Sequence, residues 1–181
     1  REALEGLLHN QLCSWEYLYG KSASENTLAE RFKGIITRAY QKTGKQTVVL
    51  VDEYDKPLLE TMNTDEALNE TYRRILKGFY GVFKSCDQYL RFVFLTGVTK
   101  FSKVSIFSDL NNLRDISLDS DYAALCGITQ QELEANFRPE IQTLAETQHL
   151  SGEQTLAQLK QRYDGYHFSE NAINVYNPFS L

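Results

Sequence analysis

"VVLVDEYDKPLL", residues 48–59, decides the fold. Val48, Val49, Leu50 and Val51 run without alternation into Asp52, Glu53, Tyr54 and Asp55. A short, unbroken apolar run rich in β-branched residues reads as a strand covered on both faces of a parallel sheet. In such sheets ligands sit beyond the carboxyl ends of the strands, and here that end carries three carboxylates.

The flanks supply the layers that cover such a strand. Leu4, Leu7, Leu8, Leu12, Trp15 and Leu18 recur at three- and four-residue steps, the period of an amphipathic helix broken at Gly20 and Ser22. Ser22 followed by Glu25 predicts a capping box. It would open a second helix with the stripe Leu28, Phe32, Ile35, Ile36 and Tyr40, ending at Gly44. Leu68, Tyr72, Ile75, Leu76, Phe79 and Phe83 predict a third. "LRFVFLTG", residues 90–97, reads as the second strand and "DISLD", residues 115–119, as a third. Thr129 stands three residues before Glu132 and starts another helix, residues 155–163 predict one more, and the chain from about residue 129 onward reads as all-helical. Helix and strand in alternation define an α/β protein, a parallel sheet flanked by helices with a helical C-terminal lid or subdomain. The division expected is a core over residues 1–122 and the lid over 123–181.

Bulk properties narrow the function classes. With 181 residues, 42% hydrophobic and 24% charged, the chain can bury a sizeable core and has no disordered character. A net charge of −5 argues against non-specific nucleic-acid binding, and no apolar run approaches a membrane span. Cys13, Cys86 and Cys126 are scattered and odd in number, which fits a reducing, cytoplasmic compartment better than a disulfide framework or a zinc site. The first residue, Arg1, lies inside a helical pattern and the one methionine is Met62, so the chain is expected to be a piece of a longer protein.

An apolar strand running into Asp-Glu is the Walker B pattern. A buried strand holds both carboxylates rigidly: Asp52 can orient waters around Mg²⁺, and Glu53 can polarise an attacking water. Thr96, at the end of the neighbouring strand, stands where a sensor residue would help place that water, with Thr99 second. A solvated turn explains Asp52-Glu53 as simply, and Asp55-Lys56-Pro57 has the composition of a turn. Two polar strand ends side by side weigh more than either alone.

Taken together, "VVLVDEYDKPLL", "FLTGVTKFSKVSIFSDLNNLRDISLD" and "YDGYHFS…NVYNPFSL" resemble the AAA-ATPase-like family, in order and from about Leu28 onward. The family has the P-loop NTPase fold and often carries a PD-(D/E)XK nuclease-like domain downstream. The resemblance implies that Asp52 and Glu53 are the Walker B carboxylates, Asp52 holding Mg²⁺ through water and serving the ATP cofactor, and that Thr96 is the sensor. Ser108, Asn111 and Asn112, and the stretch from Tyr163 to Tyr166, fall in family motifs without an assigned role. By the same resemblance the intact protein would bind and hydrolyse ATP with Mg²⁺ and regulate an attached effector. The alternative is a nucleotide-independent scaffold or interaction module that keeps the acidic motif as structure.

One part of that pattern is missing from the sequence. No GxxxxGK[ST] occurs, and Gly20-Lys21-Ser22 follows a helix where a strand is needed, so it reads as a helix-ending turn. The phosphate loop is therefore expected upstream of Arg1, and residues 1–181 alone are expected to bind ATP weakly or not at all. Lys100 and Lys103 could face phosphate and Arg114 could act in trans on a neighbour's site, each against the simpler reading of a solvated charge. Arg73, Arg74 and Lys77 form a short basic face, and Tyr163, Tyr166, Phe168, Tyr176 and Phe179 form an aromatic cluster read as packing. Other chemistries fit less well. Tyr54 occupies the acid position that a nuclease motif ending at Lys56 would need, no GxSxG occurs, and Asp119 and Asp121 make a poor glycosidase pair.

Overall fold

The computed structural model describes residues 2–98, 106–107, 110, 112–167 and 173–179. The chain forms two compact units, residues 1–113 and 114–181.

In the first unit α1 (Glu2–Tyr19) and α2 (Leu28–Thr43) precede β1 (Thr47–Val51), and α3 (Lys56–Thr61), α4 (Glu66–Tyr80) and α5 (Val82–Ser85) lead to β2 (Leu90–Leu95). The buried stripe of α1 is Leu4, Leu8, Leu12, Trp15 and Tyr19, whereas Leu7 and Leu18 are exposed. The second helix starts later than expected. Thr27 caps it and Glu30 closes the capping box, while Ser22 and Glu25 form only a turn, with the Glu25 N–H on the Ser22 carbonyl at 3.2 Å. The buried stripe begins at Leu28, and Thr27 is the polar residue directly before it, so the cap follows the packing. Gly44 ends α2 in the left-handed conformation, φ 68°.

Phe32 on α2 joins the helices, its ring stacked on Phe79 at 4.5 Å and on Trp15 at 5.8 Å, with Phe83 edge-on at 5.8 Å. The long helix expected through Phe83 is interrupted at Gly81, and Val82 and Phe83 bury themselves from the separate turn α5. Polar ties complete the packing. Arg31 is 4% exposed and forks onto Glu16 through Nε to Oε1 at 2.6 Å and Nη2 to Oε2 at 2.9 Å. Arg38 and Lys42 donate to the Tyr19 and Leu18 carbonyls, satisfying the open C-terminal end of α1.

β1 and β2 pair in parallel, Val48 beside Phe92, Val49 beside Val93, Leu50 beside Phe94 and Val51 beside Leu95. Val49, Val51, Val93 and Leu95 face the helical core. The other face corrects the expectation of a strand covered on both sides: Val48, Leu50 and Phe92 are 52%, 70% and 53% exposed. An unbroken apolar run records that both faces are apolar, and the described helices of the first unit pack against one of them.

The second unit holds a short 3₁₀ turn (Ser120–Tyr122), then α6 (Gln130–Asn136), α7 (Arg138–Gln148) and α8 (Gly152–Tyr163), followed by β3 (Asp164–Tyr166) and β4 (Val175–Tyr176). Thr129 with Glu132 and Ser151 with Gln154 form capping boxes at the starts of α6 and α8. The region is helical as expected, but it adds an antiparallel pair. The "YDGY" and "NVYN" motifs meet there, Asp164 beside Tyr176 and Tyr166 beside Val175. Tyr176 is 1% exposed against Leu133 and Ile141, with Tyr163 packed alongside. Tyr166 and Phe179 are exposed, so the aromatic cluster is only in part a core. Residues 115–119 form no strand, with a turn at residues 117–118. Asp115 accepts the Ser117 N–H, Asp119 accepts the Asp121 N–H, and these local bonds outcompete a ladder. Among the described residues no helix is long and apolar enough to cross a membrane.

Candidate functional site

The parallel pairing of β1 and β2 brings their carboxyl ends together, and Asp52, Glu53 and Thr96 meet there. The ladder runs one step past the strands, with the Thr96 N–H on the Val51 carbonyl at 2.8 Å and the Tyr54 N–H on the Thr96 carbonyl at 2.9 Å. These two bonds hold the Thr96 backbone from both sides. Its hydroxyl accepts the Glu53 N–H at 3.2 Å and donates to Asp52 Oδ1. A residue 43 positions away thus sits between the two carboxylate-bearing residues.

Glu53 has φ 51°, a left-handed backbone that a Glu rarely adopts. Such strain persists where surrounding bonds overdetermine it, and it clusters at functional positions. The turn throws the Glu53 side chain outward. There it pairs with Lys56, Nζ to Oε2 at 3.1 Å, both side chains about half or more exposed. Glu53, through its hydrogen bond, holds the Lys56 ammonium above its ordinary range. An exposed pair of this kind is screened by solvent and opens at little cost, so it does not lock Glu53.

Asp55, two residues after Glu53, is fully buried, with Oδ1 accepting the Val98 N–H at 3.2 Å. By composition this residue reads as part of a turn. The one signal that pointed further was Gly97, where a Cβ would come 2.6 Å from the Tyr54 ring and 2.9 Å from Asp55 Oδ1. Asn69 anchors the helix that follows, donating to the Leu58 carbonyl and to Thr61 Oγ1, both at 2.8 Å.

Among the described residues no cluster of three or more His, Cys, Asp or Glu could hold a metal ion by itself. The donor set at the strand ends fits Mg²⁺ all the same. That ion keeps most of its waters and takes one or two carboxylates, with phosphate oxygens supplying further ligands. Asp52 is exposed and offers such a carboxylate, beside the Thr96 hydroxyl. The described residues do not offer a phosphate cradle. Gly20 ends α1 with φ 84° and its N–H is taken by the Glu16 carbonyl at 2.7 Å. Gly20-Lys21-Ser22 therefore lies at the negative end of the helix dipole, where a phosphate is disfavoured.

Two other sequence candidates are engaged with neighbours of their own. Arg114 is engaged in the second unit with Asp119 and lies over the Tyr122 ring at 5.7 Å. Arg73 donates to Asn69 at 2.8 Å. Thr99, Lys100, Lys103, Ser108, Asn111 and Phe168 lie outside the described residues.

Parallel strands with helices packed against one face, an Asp-Glu pair following one strand and a threonine following the next, give this unit a polar strand end of the kind found in α/β folds. The chain belongs to the AAA-ATPase-like family, whose description is predicted AAA-ATPase and whose profile matches residues 1–107. That match begins ahead of the motif resemblance, which ran from about Leu28, and ends before the "NNL" and "YDGY" stretches. Over 178 residues the chain is 41% identical to an uncharacterized protein in the vnfD 5' region of Azotobacter chroococcum mcd 1, covering 98% of this chain and 32% of that protein. The chain thus spans about a third of the length of the curated relative it matches. No solved structure matches it.

Proposed function

We propose that residues 1–181 carry the Mg²⁺ and water half of an ATP-hydrolysing site, and that a phosphate-binding loop outside these residues completes it. Thr96 carries this reading, because its single hydroxyl is shared between Asp52 and the Glu53 backbone. Asp52 would hold Mg²⁺ through water. Glu53, released from Lys56, would accept a proton from the attacking water, and Thr96 would keep both residues in register. Bound Mg-ATP supplies the phosphoryl group and the charge that the metal neutralises. The segment over residues 123–181, within the second unit, would act as a lid, and the cycle would drive or regulate an attached effector of nuclease-like type. The greater length of the Azotobacter relative leaves room for such segments.

The bare apolar face of β1 and β2 supports the same reading, since parallel sheets are covered on both sides in complete domains. The second reading is an interaction module in which the acidic motif is structural, with Glu53 resting against Lys56 in a weak, exposed pair.

The test is the full-length gene product. Its sequence should contain a strand followed by a Gly-Lys-Ser/Thr loop, and Glu53→Gln should abolish ATP turnover while sparing nucleotide binding. Turnover unaffected by Glu53→Gln, or a full-length sequence without the loop, leaves the interaction module standing. Residues 1–181 alone should give little or no heat on titration with Mg-ATP, and tight binding there would contradict a loop placed elsewhere.

A further inference from the structure

Asp55 occupies the N-cap position of α3, but its side chain makes no cap bond. Its own carbonyl takes the N–H groups of Leu58 and Leu59 at 2.9 and 3.0 Å. The carboxylate instead reaches the loop after β2 and accepts the Val98 N–H. An Asp at an N-cap ordinarily bonds the first turn of its own helix. Here that local bond is given up for one to a residue 43 positions away, with the carboxylate wholly out of solvent. Burying a carboxylate is costly unless it is well bonded, so this placement is not one that a simple turn requires.

Three observations converge on the loop it holds. Gly97 leaves no room for a Cβ against Asp55 Oδ1 and Tyr54, so the loop is fitted to this carboxylate. Tyr54 anchors the junction, its ring packed edge-on against Phe107 at 5.0 Å. Thr96 lies one residue before Gly97, with its backbone bonded to Val51 and Tyr54 and its hydroxyl between Asp52 and Glu53. Asp55 therefore clamps the segment that leaves Thr96, as the ladder clamps the segment that enters it.

We infer that Asp55 is a positioning residue: by fixing the turn after Thr96 it sets the Thr96 hydroxyl onto Asp52 and the Glu53 N–H. The inference rests on the proposed roles of Asp52, Glu53 and Thr96. In this role Asp55 acts through its hold on the turn after Thr96.

Two readouts test it. In residues 1–181, amide hydrogen exchange of Glu53 and Val98 reports the clamp without any turnover. Asp55→Ala should speed exchange at both at least about tenfold while Val49 and Leu50 stay protected, and Asp55→Asn, which keeps an oxygen acceptor, should restore most of the protection. An unchanged Glu53 amide overturns the inference, and so does loss of protection throughout β1. In the full-length protein, Asp55→Ala should lower kcat for ATP about tenfold or more with KM within about twofold, with partial recovery in Asp55→Asn. Gly97→Ala, which attacks the same contact from the other side, should repeat the kcat loss. A rise in KM at constant kcat, or an Asp55→Asn variant no better than Asp55→Ala, refutes the positioning role. If the unaltered protein does not hydrolyse ATP, the functional reading falls, and the amide readout alone still decides whether Asp55 sets Thr96.

Discussion

Thr96 donates its hydroxyl proton to Asp52 across the parallel strand pair, from a residue 44 positions further along the chain. The same oxygen receives the Glu53 N–H. One side chain thus determines both where the Asp52 carboxylate points and where the strained Glu53 backbone rests.

Thr96→Val keeps the shape of the side chain and removes the hydroxyl. In the full-length protein it should reduce kcat by on the order of 10²-fold, the scale seen when one positioned polar group is removed from a catalytic site. Steady-state kinetics beside Glu53→Gln make the comparison, and a kcat within about twofold of the unaltered protein would remove Thr96 from the site.

The Glu16–Arg31 pair is buried, with side chains 9% and 5% exposed. Glu16→Ala leaves the Arg31 charge short of its main partner and should cost about 3–5 kcal/mol in urea unfolding. Hydrogen bonds from Arg31 hold the Glu16 carboxyl below its ordinary 4.5, and Arg38 does the same for Glu25. A depressed folded value means stability that is fully present above pH 4.5 and is lost as pH falls through the folded values. Glu16→Gln should therefore flatten the fall in stability below pH 4.5, measured as urea midpoints over an acid series.

Burial, helped by the charge of Tyr54, pushes the Tyr80 phenol from 10 up to about 12. The folded state holds this proton more tightly than the unfolded chain. Its contribution is whole below pH 10 and is lost as pH rises toward 12. Tyr80→Phe should make stability less steep across that alkaline window, followed by circular dichroism. An unchanged slope would mean that Tyr80 does not govern it.

The apolar face of Leu50 and Phe92 should behave differently in the short and long proteins. In residues 1–181, Phe92→Thr should lower dye binding to exposed apolar surface and leave the urea midpoint unchanged. If a further segment covers this face in the full-length protein, the same change should destabilise it by about 1–3 kcal/mol. Equal behaviour in both would argue that the face stays bare.

Periodicity made α1, α2, α4, β1 and β2 legible, because each buries a face whose spacing is written in consecutive residues. Thr129 announced its helix through a cap that is equally local, whereas Ser151 caps a helix expected only from residue 155, which starts at Gly152. Ser22 and Glu25 carried the same signature without a helix, because the stripe that packs begins only at Leu28. The "DISLD" stretch misled for a related reason: alternation over five residues weighs less than two Asp side chains bonding their own backbone.

By itself the sequence determined the α/β class, the two strands and the acidic exit of the first, since these depend on residue types in short windows. The tertiary structure alone decided what that exit contains. Thr96 meets Asp52 only because β2 pairs beside β1, Asp55 reaches Val98 only because Gly97 leaves it room, and Glu53 turns left-handed only because Thr96 holds its N–H. Each of these is a contact across 40 or more residues, set by the register of a parallel ladder that no local pattern encodes.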